Sequence, residues 1–280
     1  MLDIRLLPSG KSAVWLSVFG LIAALILASI AWLLLTPFVG IDISIWIALI
    51  VGEGALIIPA VYYVRSRHYD FRKTFRLDSP PKGTLLSALI IAISLQPLVD
   101  EFDKILSMIF PMPPFLDEYL QGAFETLKVD SVGSFILMAI GVVVVAGIVE
   151  EGLFRGVLQK SFENEKSPLR AVIISSTVFS IVHLSPQIIQ IFLLGALLGY
   201  IALRTNSLYP SILLHITNNA IAVTFINMDT TNYSFYTSGN HVSPLIIVPA
   251  LFIFVFTLRK FHSQTAAKIK IEDVDLESAF

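Results

Sequence analysis

Residues 13–38 read AVWLSVFGLIAALILASIAWLLLTPF, an apolar run that no charge interrupts, and this stretch decides the class of the fold. A helix that crosses a bilayer needs roughly 20 mostly apolar residues, because the hydrocarbon offers its backbone no partner outside the segment. Residues 13–38 exceed that length. Arg5 and Lys11 precede them, as in a signal peptide, but the run is too long for one and no small-residue cleavage site follows. Further apolar runs lie at 43–64, 84–110, 135–159, 171–183, 188–203, 211–226 and 245–258. The third carries Asp100, Glu101 and Asp103, so its outer half is expected to meet water or pack against protein. Composition points the same way. Hydrophobic residues make up 55% of the chain and charged ones 14%, against about 25% charged in soluble proteins, a surplus that a soluble core would not hide. The sequence predicts an all-α, polytopic membrane protein with about eight transmembrane helices.

The basic residues orient it, because cytoplasmic connections are enriched in Lys and Arg. With eight spans, all but Lys104 and Lys128 of the 19 basic residues fall on one side, together with both termini. Both termini are therefore expected in the cytoplasm. The chain divides into amino-terminal helices with an external connection (1–130), a core (131–227), and a last transmembrane helix with a cytoplasmic tail (228–280). Residues 111–130, rich in Pro, Phe and acids, are expected to form an amphipathic helix on the membrane. Residues 227–243 read as a polar external loop, and the tail ends in an acidic stretch expected to be disordered. A net charge of −2 gives no basic field for nucleic acid. The absence of cysteine excludes disulfides, thiol nucleophiles and Cys-ligated metals. There is no Gly-rich phosphate loop for ATP-driven transport.

Ionisable groups inside apolar runs need a reason, since one at the bilayer centre costs about 2.5–3.5 kcal/mol on insertion scales. Three stretches hold them: Glu150-Glu151-Gly152-Leu153-Phe154-Arg155, Phe179-Ser180-Ile181-Val182-His183, and His215-Ile216-Thr217-Asn218-Asn219. At the ~1.5 Å rise of a helix, Glu150 lies about 15 Å in from Lys160, His183 about 20 Å in from Arg170, and His215 about 15 Å in from Arg204. One polar chamber reached from the cytoplasm can hold all three. Glu151 and Arg155, four apart, share a helix face and are expected to pair. Glu150 points about 100° away, beside Ala146 and Gly147, which admit a neighbouring helix, and has no partner on its own helix. A desolvated carboxylate of this kind suits a general base. Singly, His183 reads as a hydrogen-bonded core histidine, and His215 with Asn219 as glue between helices. Their common depth with Glu150 favours a site instead. For Glu53, flanked by Gly52 and Gly54, a helix-packing contact is expected. His68, His241 and His262 fall in polar segments and attract no role.

Together the three stretches resemble the CAAX-protease and bacteriocin-processing family, the type II CAAX prenyl endopeptidases. Its pattern of Glu-Glu-x-x-x-Arg, Phe-x-x-x-His and His-x-x-x-Asn is met in order by Glu150, Glu151 and Arg155, by Phe179 and His183, and by His215 and Asn219. The similarity covers about residues 141–220 and leaves 1–130 without a counterpart. It implies an all-helical intramembrane protease of a bacterial or archaeal plasma membrane, with its site open to the cytoplasm. Its substrate would be a membrane-associated protein or peptide, such as a prenylated protein or a leader peptide, cleaved without a covalent acyl-enzyme. By the resemblance, Glu150 activates water that His183 helps to hold, His215 and Asn219 stabilise the oxyanion, and Glu151 with Arg155 supports the site.

Zinc is possible, with Glu150, His183 and His215 as ligands, and would make the protein a metalloprotease. It would also remove Glu150 as the only obvious base, so the preferred reading requires no cofactor. Two rivals remain at this stage: a non-catalytic bacteriocin-immunity or adaptor protein with the same fold, and a secondary transporter, which buried acids and histidines would also serve.

Overall fold

The computed structural model describes residues 7–228 and 235–271, with backbone alone for 267–271. Arg5, part of the polar loop expected at 227–243, and the acidic end of the tail lie outside the described residues. Among the described residues the chain is all-α apart from one short hairpin. Its helices are α1 (Gly10–Val39), α2 (Ile41–Ser66), α3 (Thr84–Ile109), α4 (Pro114–Thr126), α5 (Val132–Glu163), α6 (Pro168–Val182), α7 (Ile188–Thr205), α8 (Tyr209–Asn227) and α9 (Pro244–Ile271). A single turn, Phe71–Thr74, lies between α2 and α3. Each of the eight apolar runs falls on one of these helices. Among the described residues, six helices (α1, α2, α3, α5, α7 and α9) are long and apolar enough to cross a membrane. Many of their outward side chains are large and apolar, among them Leu33, Leu245 and Phe252.

Two apolar clusters flank the middle of the molecule. Leu16, Leu56, Val149, Phe154 and Phe179 join α1, α2, α5 and α6. Ile91, Leu198, Leu214 and Phe261 join α3, α7, α8 and α9. Helix α5 therefore lies against one cluster and α8 against the other, and the two helices meet between them. Gly147 permits the approach: a Cβ there would lie 2.6 Å from Ile216 Cγ1 on α8.

The sequence predicts a plain helix over 135–159. The observed α5 is longer and not uniform. Residues Ala139–Val145 and Gly152–Leu158 are wound with i→i+5 hydrogen bonds, on either side of the ordinary turns at Ala146–Glu151. Side chains from other elements bond to carbonyls of both wide segments. Asn219 Nδ2 donates to the Val142 carbonyl at 2.9 Å. Ser175 Oγ donates to that of Phe154 at 2.9 Å, and Arg76 Nε to that of Arg155 at 3.0 Å. Arg76 was expected to mark the cytoplasmic edge as one charge among many. Instead it is buried beside α5 and α7, pairing with Glu163 and donating to the Ala202 carbonyl at 3.2 Å.

The acids of α3 pack against protein, one of the two outcomes expected. Glu101 accepts from Val242 N at 2.8 Å and His241 Nδ1 at 2.7 Å, on the hairpin that pairs 237–238 with 241–242. Asp100 accepts from Tyr236 and Asp103 from Gln190. Burial, and then the Asp100 carboxylate, push the Tyr236 hydroxyl above its usual range. The connection after α3 contains α4, which has no buried residue.

Candidate active site

Glu150 and Glu151 occupy the ordinary turns of α5 and point in different directions. Glu151 turns inward, where Arg155 Nη1 reaches its Oε1 at 2.5 Å and both side chains are fully buried. Arg155 also donates to the Gly195 carbonyl at 3.1 Å, and its guanidinium lies 4.2 Å from the centre of the Phe179 ring. Gly195 leaves room for this: a Cβ there would stand 3.1 Å from Phe179 and 3.4 Å from Arg155 Nη2. The pairing of Glu151 with Arg155 is the one the spacing predicts.

The same Glu151 Oε1 also lies 3.0 Å from His215 Nδ1. A carboxylate accepts, so Nδ1 of His215 carries the proton and Nε2 presents its lone pair. His183 is set in the same way. Its Nδ1 lies 2.6 Å from the Phe179 carbonyl, which can only accept, so Nε2 is again the free nitrogen. The Phe179 ring packs against both imidazoles, with centroids 4.4 Å from His183 and 6.0 Å from His215.

Both free nitrogens face Glu150. His183 Nε2 lies 3.8 Å and His215 Nε2 3.9 Å from Glu150 Oε2. These spacings are too long for direct hydrogen bonds and fit a water between each imidazole and the carboxylate oxygen. Glu150 Oε2 is buried and has no hydrogen-bond partner among the described residues. Each imidazole nitrogen thus stands at a distance from the same carboxylate oxygen that one water can bridge, donating a proton to each end.

The set also has the chemistry of zinc ligands. Its spacing is wider than the ~3.4 Å that a tetrahedral ion with bonds of about 2.1 Å imposes on its ligands. Among the described residues no group of three His, Asp or Glu side chains has the arrangement to hold an ion. As placed, the two imidazoles stand farther from Glu150 Oε2 than ligands around a bound ion would.

Asn219 is placed differently from the other three. Its Nδ2 donates to the Val142 carbonyl and its Oδ1 accepts from Asn218 at 3.2 Å, so its contacts hold α8 to the wide turn of α5. Sequence reasoning missed Glu53. It lines a cavity of about 340 Å³ together with Glu150, His183, Leu25, Leu49 and Val182. The expected helix contact belongs to its neighbour: a Cβ on Gly52 would lie 3.0 Å from Ala28 Cβ of α1. Position within the apolar run was the available signal for Glu53, and its glycine neighbours masked it.

The family model described as type II CAAX prenyl endopeptidase Rce1-like matches residues 132–221. That stretch is similar to an Rce1-like domain. The match bears out the resemblance carried by the three motifs and extends it slightly at the amino-terminal end. The matched stretch contains Glu150, Glu151, Arg155, His183, His215 and Asn219, and Glu53 lies outside it. With its apolar helices, the chain is an integral membrane protein. Comparison with curated proteins and with solved structures gives no match.

Proposed function

We propose that the chain is an intramembrane endopeptidase that hydrolyses a peptide bond of a membrane-associated protein or peptide with water activated by Glu150. One observation carries the reading: a buried carboxylate oxygen without a partner, flanked at 3.8 and 3.9 Å by two imidazole nitrogens whose lone pairs face it. Water held there gives one proton to Glu150 and is oriented by His183 through its second. Its oxygen attacks the scissile carbonyl, whose oxygen becomes an oxyanion. With a proton taken from bulk water at Nε2 when substrate binds and released again with the products, His215 donates to that oxyanion, and Glu151 offsets the imidazolium charge through Nδ1. Asn219 has a second amide hydrogen for the same oxyanion when the Val142 contact holds the first. Glu150 then passes its proton to the leaving nitrogen as the C–N bond breaks. No step uses a metal, and none leaves the substrate bound covalently.

The Rce1-like match supports the protease class. The eight helical runs and the one-sided basic residues support eight spans, cytoplasmic termini and a site served from the cytoplasm. Cleavage of membrane-anchored peptides in oxygen-18 water tests the chemistry. The label enters the new carboxyl group directly, and hydroxylamine traps no acyl-enzyme. A trapped acyl-enzyme would contradict the mechanism.

A further inference from the structure

Glu53 is a half-buried residue, with one carboxyl oxygen fully buried, that the mechanism above does not use. It lies twelve residues before Arg65, about 18 Å along α2, a depth similar to that of Glu150 counted from Lys160. It opens on the same cavity as Glu150 and His183. Its Oε2 is buried with no hydrogen-bond partner among the described residues. Among the described residues no Lys or Arg lines the cavity. The nearby cation Arg155 is engaged by Glu151, the Gly195 carbonyl and the Phe179 face. The rest of the wall is largely aliphatic, from Leu21, Leu25, Leu49, Leu56 and Val182.

We propose that Glu53 determines specificity, receiving a cationic side chain of the substrate beside the scissile bond; this rests on the endopeptidase reading. An aliphatic wall ending in an unpartnered carboxyl matches the form of Lys or Arg, whose methylene stem covers apolar surface while the charged end seeks an acceptor. A buried cation is tolerated only with a partner, and Glu53 supplies one. A substrate carboxylate would instead meet two carboxyls and no cation. The packing of Gly52 on α1 fixes the helix that carries Glu53, so the carboxyl is held in place before substrate arrives.

The test measures binding, which separates it from the protease reading. The full chain carrying Glu150→Gln, in lipid nanodiscs, is titrated with a fluorescent acyl-anchored peptide bearing Lys and with the same peptide bearing norleucine, the Lys being moved through each position in turn. At one position the Lys peptide binds at least about tenfold tighter. Adding Glu53→Gln brings the ratio close to one, and Glu53→Asp restores part of it. Equal binding of the two peptides at every position, or a Lys preference that survives Glu53→Gln, overturns the proposal. Both results hold whether or not the wild-type chain cleaves either peptide. Absence of cleavage counts against the endopeptidase reading alone.

Discussion

His215 Nδ1 lies 3.0 Å from Glu151 Oε1, the same oxygen that Arg155 holds at 2.5 Å, so the ion pair inside α5 also orients a histidine of α8. Glu151 is thereby coupled to the proposed catalytic histidine, and it does not line the cavity that Glu150 lines.

Glu151→Ala removes the partner of a fully buried guanidinium and the acceptor of His215 together. The expected loss of stability is about 3–5 kcal/mol, read as a lower melting temperature and less folded protein after detergent extraction. Glu151→Gln keeps the shape and an acceptor oxygen, so more of it folds, with low activity. Normal activity in Glu151→Gln would mean that the contact does not set the imidazole.

His183 sits at the end of α6 with its side chain partly exposed, and little of the packing depends on its ring beyond Phe179. His183→Ala is expected to fold, to melt close to wild type, and to lose about 10²–10⁴-fold in kcat. A melting temperature that falls with the activity would show a structural role instead.

Gly147 sets the distance between Glu150 and His215. The Cβ introduced by Gly147→Ala would lie 2.6 Å from Ile216 Cγ1, so α8 must shift or Ile216 must turn, at about 1–3 kcal/mol. Activity should fall, and Ile216→Ala in the same chain should recover part of it. A double variant no more active than Gly147→Ala would show that the site does not depend on this approach.

Much of this was legible in the sequence. Within the motifs, Glu151 with Arg155, Phe179 with His183, and His215 with Asn219 sit four apart, the spacing that predicts a shared helix face. What escaped depends on contacts between helices far apart in the chain. Nothing local shows that the carbonyls of Val142, Phe154 and Arg155 will bond to Asn219, Ser175 and Arg76, so the wide turns of α5 could not be read. Arg76 looked like one more interfacial charge, because its acceptors come from α5 and α7. Glu53 was read through its glycine neighbours, and only the packing of α1, α2, α5 and α6 shows that it shares a cavity with Glu150.

Metal dependence gives a separate expectation. Purified active protein should hold no stoichiometric zinc, and a strong chelator should leave cleavage unchanged. Zinc whose removal abolishes cleavage and whose return restores it would replace direct carboxylate catalysis by a metal-bound water, leaving the protease assignment intact.

The central claim is that Glu150 activates water for peptide hydrolysis. The most direct measurement reconstitutes the wild-type chain and Glu150→Gln in proteoliposomes, presents both with a library of membrane-anchored peptides, and identifies products by mass spectrometry. The account predicts cleavage at a defined bond by the wild-type chain and a kcat at least about 10²-fold lower in Glu150→Gln, with the two proteins equally folded. Cleavage that survives Glu150→Gln unchanged, or a folded wild-type chain that cleaves nothing in the library, would contradict it.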